Sequence, residues 1–84
     1  MTHQRHGEPL PLGGDGLPYS KGLMARALIA AGVPADRAYH LARRIELDLA
    51  ERGIPALEVD RLDPLAREVL GEAEAERAIG RLRR

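Results

Sequence analysis

Ala38, Leu41, Ala42, Ile45 and Leu49 recur three and four positions apart, so a helix through them carries one apolar stripe. Pro34 stands just before this run and Gly53 just after it, and the pattern predicts a helix over about Ala35 to Arg52. Arg37, Arg44, Glu46, Asp48 and Glu51 are read as lying mostly off the stripe. A stripe of this kind cannot be buried by its own helix and demands partners. Three further segments show the same period. Ser20 caps a helix bearing Leu23, Met24, Ala27, Leu28 and Ala31, and Gly32 stops it. Asp60 or Asp63 caps a third helix bearing Leu62, Leu65, Ala66, Val69 and Leu70, with Pro64 in its first turn and its end at Leu70-Gly71. A fourth, about Glu72 to Arg83, turns Ala75, Ala78, Ile79 and Leu82 inward.

The segment ahead of these helices has a different character. From Pro9 to Pro18 the chain reads PLPLGGDGLP, and Gly13-Gly14-Asp15-Gly16 between short apolar pieces is a hairpin signal. Ile54 to Val59 reads as extended, because Pro55 forbids helix there and Leu57 and Val59 alternate to one side. The predicted fold is mainly α, a small four-helix bundle with an N-terminal β-hairpin. Residues 1–8 form a flexible lead-in and residues 9–84 the domain.

Eighty-four residues allow one compact core and no more, which makes the chain too short for catalysis alone. Thirteen basic and thirteen acidic residues cancel, so the basic surplus of a general nucleic-acid binder is missing and nucleic acid is disfavoured as a partner. Without cysteine there is neither a disulfide frame nor a thiolate metal site, which suits a reducing interior. His3 and His6 on the lead-in lack a fixed geometry for metal, and no metal is predicted. No apolar run has the length of a membrane span and the start has no hydrophobic leader; the expected home is the cytoplasm.

The carboxylates fall opposite arginines on helix faces, and no nucleophile is spaced to partner His40, so no catalytic constellation emerges. The stretch GGDGLPYSKG is not a phosphate loop, because Ser20-Lys21-Gly22 reverses the required order. A looser corner remains. A glycine turn followed by a helix start with a hydroxyl and the chain's one lysine places N–H donors and a cation together, as a phosphate requires; an ordinary hairpin turn and N-cap explain the same residues. ALIAAGVPADRAYHLARRI also has the order helix, short glycine turn, helix of a DNA reader, but its second helix starts Ala35-Asp36-Arg37 and carries nearly as many acids as bases.

These residues resemble the ATP-cone domain, in the form found at the N-terminus of 2-phosphoglycerate kinases. The likeness is carried by Asp15-Gly16, Pro18-Tyr19-Ser20-Lys21-Gly22-Leu23, Ala25-Arg26-Ala27-Leu28, Ala31-Gly32-Val33, Ala38-Tyr39, Ala42, Ile45 and Leu49, with LEVDRLDPLAREVL downstream. It covers roughly Leu10 to Leu82. The resemblance implies a hairpin or small sheet capping a four-helix bundle, with ATP or dATP held between the hairpin and the first helices as an allosteric effector. Cones usually carry Lys-Arg before the Asp-Gly and a lysine further into the first helix. Here Gly13, Gly14 and Leu23 take those places, leaving Lys21 and Arg26 as the nearby cations.

The expectation is a non-catalytic regulatory module binding ATP or another phosphate anion through Asp15, Gly16, Ser20, Lys21 and Arg26. It would serve a kinase domain in cis or in trans. The alternatives are a helical protein-interaction module without nucleotide, whose spare apolar surface would favour a homo-oligomer, and a helix-turn-helix DNA-binding module.

Overall fold

A computed structural model describes residues 18–82. Four helices account for most of them: α1 (Lys21–Ala30), α2 (Ala35–Arg52), α3 (Val59–Leu70) and α4 (Glu72–Leu82). Among the described residues there is no strand. The expectation of a mainly α bundle therefore holds, and the β-hairpin is corrected: the described fold is helical throughout. The residues assigned to that hairpin, apart from Pro18, lie outside the described residues, as does the lead-in 1–8. Among the described residues the repeated helical period is satisfied by four packed helices, and no segment is left to form a sheet.

Each helix packs on the next, α1 on α2, α2 on α3 and α3 on α4, and α4 returns to touch α1. The shared core holds Met24, Ala25 and Leu28 of α1 and Ala38, Leu41, Ala42, Ile45 and Leu49 of α2. Leu62, Leu65, Ala66 and Leu70 of α3 and Ala75 and Ala78 of α4 complete it. Small side chains let the helices approach closely, so a core without phenylalanine or tryptophan still closes.

Both ends of α1 are fixed by local chemistry. The Ser20 hydroxyl accepts the Leu23 amide at 3.2 Å, satisfying an N–H that the helix cannot. At the other end the Gly32 amide donates to Ile29 O at 2.9 Å and the Val33 amide to Leu28 O at 3.0 Å. That paired closure needs a left-handed residue between them, and Gly32 supplies it with φ +98°. Val33 then tucks into the core. Gly53 (φ +66°) repeats the device after α2, where the Ile54 amide reaches Leu49 O at 3.2 Å.

α3 departs from the sequence expectation. It begins at Val59 with Glu58 as its cap residue, not after Asp60 or Asp63, and the preceding extended piece shrinks to a bend around Pro55 and Ala56. Pro64 consequently falls inside the helix rather than in its first turn. It forgoes one backbone bond, to the carbonyl of Asp60 four residues earlier. Leu57 and the α3 stripe, buried on both sides of that point, hold the segment helical despite the loss.

Candidate functional site

The corner expected from the sequence lies at the start of α1. Tyr19, just ahead of the cap, is half-buried and donates its hydroxyl to Ala42 O of α2 at 2.9 Å. Burial, then the nearby Glu46 charge, pushes its phenol well above the ordinary value. Ser20 serves as the cap. Lys21 is the first helical residue and its ammonium lies 3.7 Å from the Glu46 carboxylate, with both side chains about half exposed.

Arg26 is exposed, and among the described residues it forms no ion pair or hydrogen bond. Five residues separate it from Lys21, which is about 140° around a helix, so the two cations do not share a face. Lys21 leans toward α2 while Arg26 points to solvent. Asp15 and Gly16 lie outside the described residues.

The ends of the helices differ in charge. α2, α3 and α4 each have an acidic residue in the first turn and a basic one in the last, the order that complements the helix dipole. α1 has neither. At its C-terminal end α4 makes good the deficit, since Arg81 Nη1 donates to Ala31 O at 3.2 Å. At its N-terminal end, Lys21 adds positive charge where α2, α3 and α4 place a carboxylate.

Among the described residues, most other arginines are engaged by carboxylates, on their own helix or on another element. Arg37 meets Glu74 at 2.6 Å, Arg44 meets Glu68 at 2.7 Å, and Arg67 meets Asp63 at 2.6 Å and Glu72 at 2.9 Å. The first two pairs engage Arg37 and Arg44, two of the cations of α2 that a DNA-reading helix would present to phosphates. No group of His, Asp and Glu among the described residues is arranged to hold a metal ion. No helix among them is long and apolar enough to cross a membrane.

Sequence reasoning missed Asp48. It was placed off the stripe of α2, yet it is 2% exposed and receives Arg61 from α3 and Arg52 from its own helix. The signal was present: Asp48 follows Leu41 by seven positions and Ile45 by three, squarely on the apolar face.

The chain is thus a small helical module whose first helix opens on a lysine with no acid in its own first turn. Over 46 residues it is 48% identical to the 2-phosphoglycerate kinase of Methanococcus maripaludis, a match covering 55% of this chain and 15% of that relative. The 2-phosphoglycerate kinase of Methanococcus vannielii is 46% identical over 46 residues, with the same coverage of 55% and 15%. That of Methanopyrus kandleri is 38% identical over 58 residues, 69% of this chain and 18% of the relative. The resemblance is therefore to one segment of these kinases, and less than a fifth of the length of each is spanned. No family model matches the chain, and no solved structure matches it significantly.

Proposed function

We propose that this chain is a non-catalytic regulatory module of the ATP-cone type, allied to 2-phosphoglycerate kinase, that binds the phosphates of a nucleotide at the start of α1. ATP is the candidate ligand, and the phosphoryl-transfer activity belongs to a kinase domain working with it in cis or in trans. The observation that carries the reading is the charge at the head of α1. Its first turn holds Lys21 and no acid, whereas α2, α3 and α4 each place a carboxylate there. A helix N-terminus with a hydroxyl cap and an adjacent ammonium suits a phosphate oxygen. The Lys21–Glu46 pair does not preclude this. With both side chains about half exposed it contributes less than about 1 kcal/mol, and a phosphate dianion competes with it for the ammonium. The likeness to the kinases supports the choice of a nucleotide over other anions.

Titration with ATP, followed through backbone amide resonances, tests the reading. Saturable shifts centred on Ser20 to Leu23 are expected at millimolar ATP. Lys21→Gln is expected to weaken binding about tenfold, the loss of one charge-assisted contact. Arg26→Gln, on another face, is expected to weaken it less. An unchanged spectrum around α1 at millimolar ATP overturns the assignment.

A second reading has its own observation. Among the described residues the large apolar side chains left exposed, Leu23, Ile29, Tyr39 and Leu47, all lie on α1 and α2. A protein-interaction module would use that pair of helices, and sedimentation velocity on the intact chain would show concentration-dependent association that Leu47→Glu abolishes.

A further inference from the structure

A second positively charged feature lies at the opposite end of α1, about 15 Å from Lys21 along a ten-residue helix. There the α1–α2 turn and α4 enclose a hollow of about 90 Å³, lined by Ala31, Gly32, Val33, Glu74, Arg77, Ala78 and Arg81. Its floor is apolar, since Ala31, Val33 and Ala78 are buried, and its charged lining is Arg77, Arg81 and Glu74. Arg81 uses one N–H on Ala31 O and keeps its other donors. Arg77 is exposed, and among the described residues it makes no ion pair or hydrogen bond. The one carboxylate on the wall, Glu74, is held by Arg37 at 2.6 Å. Counting Arg37, the corner holds three cations against one anion in a chain whose formal net charge is zero.

Two further points favour an anion here. Arg77 and Arg81 are four residues apart on one helix face, a like-charge spacing that costs stability unless something negative lies between them. The hollow beside Arg67 shows the contrast, because there the arginine is met by Asp63, Glu72 and Glu76 and the charge is balanced within the chain. At the Arg77–Arg81 hollow the described residues supply no such carboxylate beyond Glu74. The space takes several waters, and therefore a phosphoryl group, but not a nucleoside.

We propose that this hollow is a second anion site, in which Arg77 and Arg81 grip the dianionic phosphate of a small phosphate monoester. Two planar guanidinium forks suit three phosphate oxygens better than a lone carboxylate. Because Arg81 already ties α4 to the last carbonyl of α1, a phosphate held by both arginines fastens α4 against the α1–α2 turn. Occupancy stabilises the closed ring of helices. The site is independent of the nucleotide reading, since none of its residues belongs to the corner at Lys21.

The experiment is an amide-resonance titration of the intact chain with inorganic phosphate and, separately, glycerol phosphate, at constant ionic strength set by chloride. Saturable shifts at Gly32, Val33 and the Arg77–Arg81 turn are expected, together with a rise in melting temperature. Arg77→Gln, exposed and outside the core, is expected to weaken binding about tenfold while slightly raising the unliganded melting temperature, because it relieves the like-charge pair. Lys21→Gln is expected to leave these shifts intact, which separates this site from the one at α1's start. Absence of saturation at these residues by 20 mM phosphate (roughly a thousandfold above a tight site), or an equal response in Arg77→Gln, overturns the proposal.

Discussion

Arg61 of α3 grips Asp48 of α2 through two nitrogens, Nη2 to Oδ1 at 2.9 Å and Nε to Oδ2 at 3.3 Å. Arg52 adds a third contact at 3.2 Å and itself reaches Glu58 at 2.7 Å, so one buried carboxylate joins the end of α2 to the start of α3. Removing one partner of a fully buried pair costs about 3–5 kcal/mol, because the other charge is stranded. Here the arginines are 35% and 40% exposed and rehydrate when released. The expected loss for Asp48→Ala is therefore smaller, about 2 kcal/mol in urea unfolding. Asp48→Leu, which refills the space with apolar volume, is expected to recover part of it. A loss below about 0.5 kcal/mol for the alanine variant would show that the pairing only offsets its own desolvation.

The same carboxylate sets an acid limit. Arg61's hydrogen bond, with that of Arg52, holds Asp48 below its ordinary value of 3.8, while burial opposes the shift. A group whose pKa is lower folded than unfolded contributes stability above the unfolded value and loses it as pH falls through the folded one. The native chain is thus expected to lose stability steeply below about pH 4. Asp48→Asn, measured by urea midpoint from pH 7 to pH 2, is expected to give a flatter profile. Parallel profiles would place the acid sensitivity elsewhere.

The contrast between α2 and α3 shows which parts of the fold were legible. α2 runs from Ala35 to Arg52 as its stripe and bordering residues dictate, and Ser20 and Gly32 bound α1 by their own chemistry. The start of α3 is not legible, because Pro64 by itself signals a first turn, whereas tertiary burial of Leu57, Leu62 and Leu65 extends the helix backward past it. Asp48 is hidden by its residue type, since a carboxylate ordinarily faces water, although its position on the wheel places it inside. The candidate site was legible only by residue type. Ser20 and Lys21 do stand at the head of α1, but Arg26 belongs to another face, as a count of five residues shows.

Tyr19 anchors the chain ahead of α1 to the middle of α2 through its bond to Ala42 O. That carbonyl also accepts within its own helix, so Tyr19→Phe leaves no orphaned acceptor and is expected to cost only about 1 kcal/mol. The raised phenol has a second consequence. A neutral acid with a pKa higher folded than unfolded contributes stability below the unfolded value of 10.0 and loses it as pH rises through the folded one. Stability is expected to decline above about pH 10 in the native chain and less in Tyr19→Phe. Thermal melts between pH 8 and pH 11 would reveal the difference, and identical alkaline profiles would contradict it.

Gly32 and Gly80 are expected to respond to alanine with opposite signs. Gly32 sits at φ +98°, where an L side chain is strained by about 1–2 kcal/mol. A Cβ there would also run into the Arg81 guanidinium and displace it from Ala31 O. Gly80 lies within α4, and a Cβ there meets nothing within 4 Å. Alanine at that position only reduces the entropy of the unfolded chain and is expected to stabilise by about 0.5–1 kcal/mol. Urea denaturation of both single variants and of the double variant checks the argument. The two sites lie on separate elements, but Arg81 is the immediate neighbour of Gly80. Additivity within about 0.5 kcal/mol is therefore expected only if Gly80→Ala leaves Arg81 on its carbonyl. A stabilising Gly32→Ala would mean that the turn after α1 does not hold the left-handed geometry on which its closure depends.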